Sequence, residues 1–172
     1  MKQDILEKLK KIKLLILDVD GVLTEGSIIY DDRARELKVF NVKDGLGVFL
    51  LKQAGIKSVI LSARSSKVVK RRAKDMHIVD VFAGYPKEQY LDRIMQKYKV
   101  GFDEVCFIGD DLIDIEVAKK VGLSVAVADA CRELKGAADF ITEHKGGQGA
   151  VREIVEMLLK AQGLWQWDKA SS

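Results

Sequence analysis

Short apolar runs alternate along this chain with amphipathic stretches of helical length, and few folds accept that pattern. Strands buried on both faces read as continuous apolar runs, and parallel strands need a crossover element between them. The runs at 14–17, 58–61, 79–82, 104–108, 124–127 and a short 139–141 are therefore expected to be strands. Helices are expected at about 45–54, 65–76, 87–98, 113–120 and 132–135, with a last helix over 149–161. Asp44 reads as the N-cap of the first of these, and Gly55 and Gly122 read as helix stops. The fold class is α/β: a Rossmann-like parallel sheet with flanking helices.

One segment breaks the alternation. SIIYDDRARELKVFN, between Gly26 and Asn41, reads as two strands around a polar turn at Asp31 and Asp32. A small β-hairpin inserted after the first strand would project from the sheet's C-terminal edge, where open α/β sheets bind ligands. At about fifteen residues it is too small for a closing lid domain. Its apolar Ile28, Ile29, Val39 and Phe40 suit either pairing with another subunit or a solvent-facing hairpin.

The 172 residues fit a single domain, with the hairpin at about 26–41 and a C-terminal tail at about 163–172. A net charge of +3, from 29 basic and 26 acidic residues, argues against nucleic acid or membrane as partner. The run Lys67, Lys70, Arg71, Arg72 and Lys74 reads as a solvated helix face. The first thirteen residues lack the continuous apolar stretch of a signal peptide. Cys106 and Cys131 are far apart, so a reduced, cytoplasmic setting is expected. His77 and His144 are isolated and are assigned no role.

The chemistry gathers at strand ends. The first strand runs into Asp18-Val-Asp20-Gly-Val-Leu-Thr24. Residues i and i+2 of an extended backbone share a face, so both carboxylates can enter one site, and a divalent cation would offset their repulsion. The fourth strand runs into Gly109-Asp110-Asp111-Leu-Ile-Asp114. If the two strands are parallel neighbours, Asp18, Asp20 and Asp110 converge. Oxygen donors without histidine or cysteine favour Mg²⁺ over softer metals. Asp111 and Asp114 stand where helix caps and dipole-compensating acids belong, and for Asp114 that reading is preferred.

Ser62 and Arg64 follow the second strand, a hydroxyl and a guanidinium suited to an anion. Lys87 opens a helix, where the dipole disfavours a cation, so it is expected to meet an acid or a bound anion.

In that order, DVDGVLT, Ser62, Lys87 and GDD resemble the four motifs of the haloacid dehalogenase superfamily, over nearly the whole chain. The resemblance implies that Asp18 attacks phosphorus and becomes an aspartyl-phosphate. It implies that Asp20 protonates the leaving alkoxide and then activates water. Asp18, Asp110 and the Asp20 backbone carbonyl would hold Mg²⁺, and Ser62 and Lys87 would hold the phosphoryl oxygens. An aspartate at position 20 favours a phosphatase or mutase over a dehalogenase.

The hairpin leading into Lys38-Val-Phe-Asn-Val-Lys-Asp-Gly45, and the segment GGQGAVRE at 146–153, resemble the capless 3-deoxy-D-manno-octulosonate 8-phosphate phosphatases. These remove phosphate from a sugar acid destined for lipopolysaccharide, as tetramers in which a neighbouring subunit helps close each site. The resemblance implies substrate contacts from Asp20, Asn41, Val42, Lys43, Asp44, Gly45, Arg64, Arg72 and Lys87. An arginine suits a carboxylate through a bidentate pair. Arg64, Val68 and Arg72 are expected on one helical stripe. Ser62-Ala63-Arg64 departs from the family's usual Thr-Gly-Arg, with some loss of backbone freedom at Ala63.

Relatives acting on nine-carbon sialic-acid-like phosphates are close, and Arg64 tilts the reading toward the eight-carbon acid. A phosphoacceptor receiver shares Asp, Mg²⁺ and Lys, but would carry an aspartate after the third strand, where Ala83-Gly84 stands. A catalytically silent oligomeric module is the other reading, and the complete acid set speaks against it. Trp165 and Trp167 in the tail are expected to dock on this or a neighbouring subunit.

Overall fold

The computed structural model describes residues 3–166. Helix α1 (Gln3–Lys11) leads into β1 (Leu14–Leu17), then a hairpin of β2 (Ile29–Tyr30) and β3 (Glu36–Leu37), and α2 (Val42–Gln53). There follow β4 (Lys57–Ser62), α3 (Lys67–Asp75), β5 (Asp80–Ala83), a 3₁₀ turn at Lys87–Tyr90 and α4 (Leu91–Tyr98). The last part comprises β6 (Val105–Gly109), α5 (Ile115–Ala118), β7 (Leu123–Ala126), α6 (Arg132–Ala137), β8 (Phe140–Ile141) and α7 (Ala150–Ala161).

Six strands form one sheet in the order β5-β4-β1-β6-β7-β8, and every neighbouring pair is parallel. This is the expected doubly covered α/β sheet with a small antiparallel hairpin outside it. The strand ends lie within about one residue of those expected. All four residues of β1 are buried, because β1 lies between β4 and β6 with helices over both faces. The register sets Leu17 level with Ile60 and Ile108, so β1, β4 and β6 end together.

Three expectations need correction, and one element was not anticipated. The N-terminal stretch is a helix. Ile5 and Leu9, one turn apart, are buried, with Asp4 in the first turn and Lys8, Lys10 and Lys11 in the last, as the helix dipole prefers. Helix α2 begins at Val42, three residues early, because Asn41 caps it: its side-chain oxygen accepts from the Lys43 N–H at 2.8 Å. Asp44 therefore does not cap α2. It is buried and accepts from the Arg152 N–H at 2.8 Å, which caps α7 instead. Finally, α3 starts at Lys67, so Arg64 lies before the helix and the stripe with Val68 and Arg72 does not form.

The basic run is a solvated face for Lys67, Lys70, Arg71 and Lys74. Arg72 turns in, donating to the Asn41 carbonyl at 3.1 Å and lying over the Phe40 ring at 5.5 Å. A Cβ at Gly45 would lie 2.6 Å from an Arg72 guanidinium nitrogen, so a side chain there would displace the tip of Arg72. Trp165 packs on its own domain, with Arg152 and Lys160 over its ring at 5.6 and 5.3 Å. Trp167 lies outside the described residues.

Candidate active site

The aspartate loop grows directly out of β1. The Asp18 N–H still donates to the Ile108 carbonyl at 3.1 Å, continuing the sheet by one residue. The chain then turns tightly: the N–H groups of Val22, Leu23 and Thr24 all donate to the Val19 carbonyl. Gly21 makes this possible, with φ of +91° and no Cβ, since a Cβ there would overlap Asp110 Oδ2. Two loops that carry carboxylates are thus allowed to touch.

A cavity of about 150 Å³ opens at the C-terminal ends of β1, β4 and β6, lined by Asp18, Asp20, Ser62, Arg64, Lys87 and Asp110, among others. Sheet order explains the convergence, because β4 and β6 flank β1 on its two sides. Asn41, Val42, Lys43, Asp44, Gly45 and Arg72 do not line it. Lys43 instead lines a separate groove with His144 and Arg152.

Lys87 is the electrostatic centre. Its side chain is fully buried, and its ammonium donates to Asp114 Oδ1 at 2.6 Å and stands 2.9 Å from Asp18 Oδ2. Burial acts to lower its pKa, but Asp18 and Asp114 outweigh that and raise it, so the cation persists. The misplaced helix-start lysine does meet acids, two of them.

Asp114 is the residue that the sequence reading underused. Its Oδ2 accepts from the Asp110 N–H at 2.9 Å and, completing the capping box of Asp111, from the Asp111 N–H at 3.4 Å, yet its other oxygen holds Lys87. The only sequence signal was a third acid four residues after Asp110, which a helix cap explains equally well. Asp111 caps in the ordinary way, accepting from the Leu112 N–H at 2.8 Å.

The acids are crowded. Ligand oxygens of Asp18, Asp110 and Asp114 lie within 4.8 Å of one another. Burial, then the Asp114 charge, pushes Asp18 up to about 6 despite Lys87. Burial, then the charges of Asp18 and Asp114, pushes Asp110 up to about 8. A single buried ammonium does not neutralise three carboxylates, and a hard divalent cation would complete the balance. Both Asp114 oxygens are already engaged, which leaves Asp18 and Asp110 as the carboxylates free to ligate.

Ser62 is buried, and its oxygen accepts from the Arg64 N–H at 3.3 Å, so its own hydrogen remains for an anion. Among the described non-glycine residues only Ala34, His77 and Lys99 have positive φ, so Ala63 carries no strain from replacing glycine. Arg64 donates to Glu36 at 3.2 Å and lies 3.9 Å from Asp20 Oδ2. Lys38 of the hairpin ion-pairs with Asp20 Oδ1, a contact that the sequence did not signal.

The cavity thus carries a buried lysine among strand-end aspartates together with a strand-end serine, and the family model of the haloacid dehalogenase-like hydrolases matches residues 73–154. The chain is 42% identical over 161 residues to 3-deoxy-D-manno-octulosonate 8-phosphate phosphatase KdsC of Escherichia coli strain K12, covering 93% of this chain and 86% of that one. It belongs to the 3-deoxy-D-manno-octulosonate 8-phosphate phosphatase family. A structure of the Moraxella catarrhalis phosphatase in complex with magnesium ion, phosphate ion and KDO superposes with a TM-score of 0.94 at 39% identity, covering 99% of each chain. The cobalt-bound Haemophilus influenzae phosphatase gives 0.87 at 41%, covering 91% of this chain and 92% of that one.

Proposed function

We propose that this chain hydrolyses 3-deoxy-D-manno-octulosonate 8-phosphate to the free sugar acid and phosphate, through an aspartyl-phosphate on Asp18. The observation that carries this is the buried Lys87 clamp, which holds Asp18 at the cavity beside Asp110, in a chain 42% identical to a phosphatase of that substrate. Asp18 attacks phosphorus while the bond from phosphorus to the sugar oxygen breaks, and Asp20 gives that oxygen its proton. Asp20 then takes a proton from water as the water oxygen attacks phosphorus, releasing Asp18 and inorganic phosphate. Lys87 and the Ser62 hydroxyl hold the phosphoryl oxygens, which is most of what a loose phosphoryl-transfer transition state requires.

Magnesium suits the donor set, which is all oxygen and short of positive charge. Asp18, Asp110 and the Asp20 backbone carbonyl would hold it, where it would offset charge on the phosphoryl group. Arg64, at the cavity's edge, suits the sugar acid's carboxylate. Asn41, Val42, Lys43, Asp44, Gly45 and Arg72 stand away from the cavity in one chain, and their part in substrate binding goes with assembly. The hairpin supports that assembly: Ile28, Tyr30, Leu37 and Val39 are each more than half exposed. We place the chain as one phosphatase domain over 1–172, in a homotetramer with neighbour-completed sites, in the cytoplasm. No described helix is long and apolar enough to cross a membrane.

Phosphate release from a panel of eight-carbon and nine-carbon keto-acid phosphates and hexose phosphates, with Mg²⁺ and with chelator, tests the reading. Mg²⁺-dependent preference for the eight-carbon acid is expected. Equal release from every compound would remove the substrate assignment, and no release would favour a silent module. Light scattering during size exclusion is expected to give four times the chain mass; a stable monomer would refute the shared site.

A further inference from the structure

The hairpin sends a lysine into the site. Leu37 and Val39 are exposed, yet the Lys38 side chain between them is only 1% exposed. Lysine is almost never fully buried unless it is paired, because an unpaired buried ammonium is costly. Here the partners are Asp20 Oδ1 and, at 3.2 Å, Glu36 Oε1. Glu36 is itself held: Oε1 accepts from Arg64 at 3.2 Å and Oε2 from the Ser66 hydroxyl at 2.6 Å. Two cations and two carboxylates thus run from the β1 loop through the hairpin to the start of α3.

Resting on the reading of Asp20 as the proton donor and acceptor, we infer that Lys38 is a positioning residue that holds Asp20 for proton transfer. With Oδ1 anchored on Lys38, rotation of the carboxyl group is restrained and Oδ2 is the oxygen that exchanges the proton. Oδ2 also has Arg64, the cavity-edge guanidinium, 3.9 Å away. The restraint comes from outside the catalytic loop: Lys38 lies 18 residues from Asp20, on an element that the sheet does not need. The hairpin then has two faces of use, an exposed apolar one and a buried charge that orders the acid.

The test separates the leaving groups. The alkoxide of the sugar acid needs a proton as it departs, whereas nitrophenolate does not. K38M is expected to lower kcat on the sugar-acid phosphate about 10–100-fold, a part of what general acid catalysis supplies, with KM changed less than about threefold. The pre-steady-state burst of nitrophenolate from 4-nitrophenyl phosphate is expected to change less than about threefold, because that step bypasses Asp20. K38R, which keeps a donor, should recover most of the loss, and K38M combined with D20N should be no slower than D20N alone. Equal losses on both substrates, or a loss confined to KM, would overturn the positioning role. If K38M does not fold, K38Q carries the same comparison. D20N by itself decides the underlying reading: a loss equal on both substrates would remove Asp20 as proton donor, whereas selective loss in D20N but not in K38M would fail Lys38 alone.

Discussion

Asp18→Asn is expected to lower phosphate release by roughly 10⁴–10⁶-fold, the scale on which loss of a nucleophile is felt when the rest of the site survives. The amide is nearly isosteric and cannot form the aspartyl-phosphate. Lys87 keeps its 2.6 Å bond to Asp114, so the clamp is not left with an unpaired buried cation. The fold should survive for a second reason. Burial, with the Asp114 charge, raises the Asp18 carboxyl from its ordinary 3.8 to about 6. A raised carboxyl contributes stability that is fully present below its unfolded value and is lost as pH rises through its folded value. Above about pH 6 the wild-type protein therefore carries a burial cost that asparagine lacks, and the variant's melting temperature at neutral pH should be no lower. Turnover near the wild-type level would end the assignment of Asp18 as nucleophile. Asp20→Asn makes the contrast: turnover should fall about 10²–10⁴-fold. Its magnesium-induced thermal shift should persist, because a backbone carbonyl is the proposed ligand at that position.

Magnesium, at a fixed concentration of roughly 100 times its Kd at about pH 8, is expected to raise the melting temperature by about 5–10 °C at that pH and by far less at about pH 5.5. The cause is the crowding of acids around Lys87. Burial and the neighbouring carboxylates raise Asp110 to about 8, and Asp18 is raised to about 6. Both values lie above the ordinary 3.8, so both groups stabilise the metal-free fold most in acid. That contribution is lost as pH rises through about 6 for Asp18 and about 8 for Asp110. A divalent cation needs both ionised, so protons compete with it over the same window and its effect grows as theirs declines. Asp110→Asn should raise the metal-free melting temperature at about pH 8 and abolish the magnesium shift, since it removes a raised carboxyl and a ligand together. A magnesium shift of equal size at both pH values, or an Asp110→Asn protein that responds like wild type, would show that these carboxylates do not hold the ion.

Much of the site was legible because its chemistry is local to strand ends. Alternating apolar runs identify a parallel sheet, and a parallel sheet collects its loops at one edge. That is why Asp18, Asp20, Ser62, Arg64, Lys87 and Asp110 could be assigned to one place before any contact was known, and all of them line the cavity. Lys87 was legible through a conflict: a lysine opening a helix opposes the dipole and needs an acid to meet.

What stayed hidden depended on which elements lie side by side. Asp44 looked like a cap for its own helix, but it caps one whose first turn is 108 residues away. Arg64 looked like the first residue of a helical stripe, whereas α3 begins only at Lys67 and Arg64 pairs with Glu36 of the hairpin. Asp114 was indistinguishable from a helix cap, and it does complete the capping box of Asp111, but Lys87 reaches its second oxygen from another loop. Lys38 sits in a hairpin that reads as surface, and only the fold of that hairpin over the β1 loop buries it against Asp20. Sequence alone determined the sheet, its edge and the acids at strand ends, because backbone periodicity and residue type dictate these locally. The tertiary structure alone decided which charges pair, because pairing is set by burial and by neighbours distant in the chain, and neither leaves a local mark.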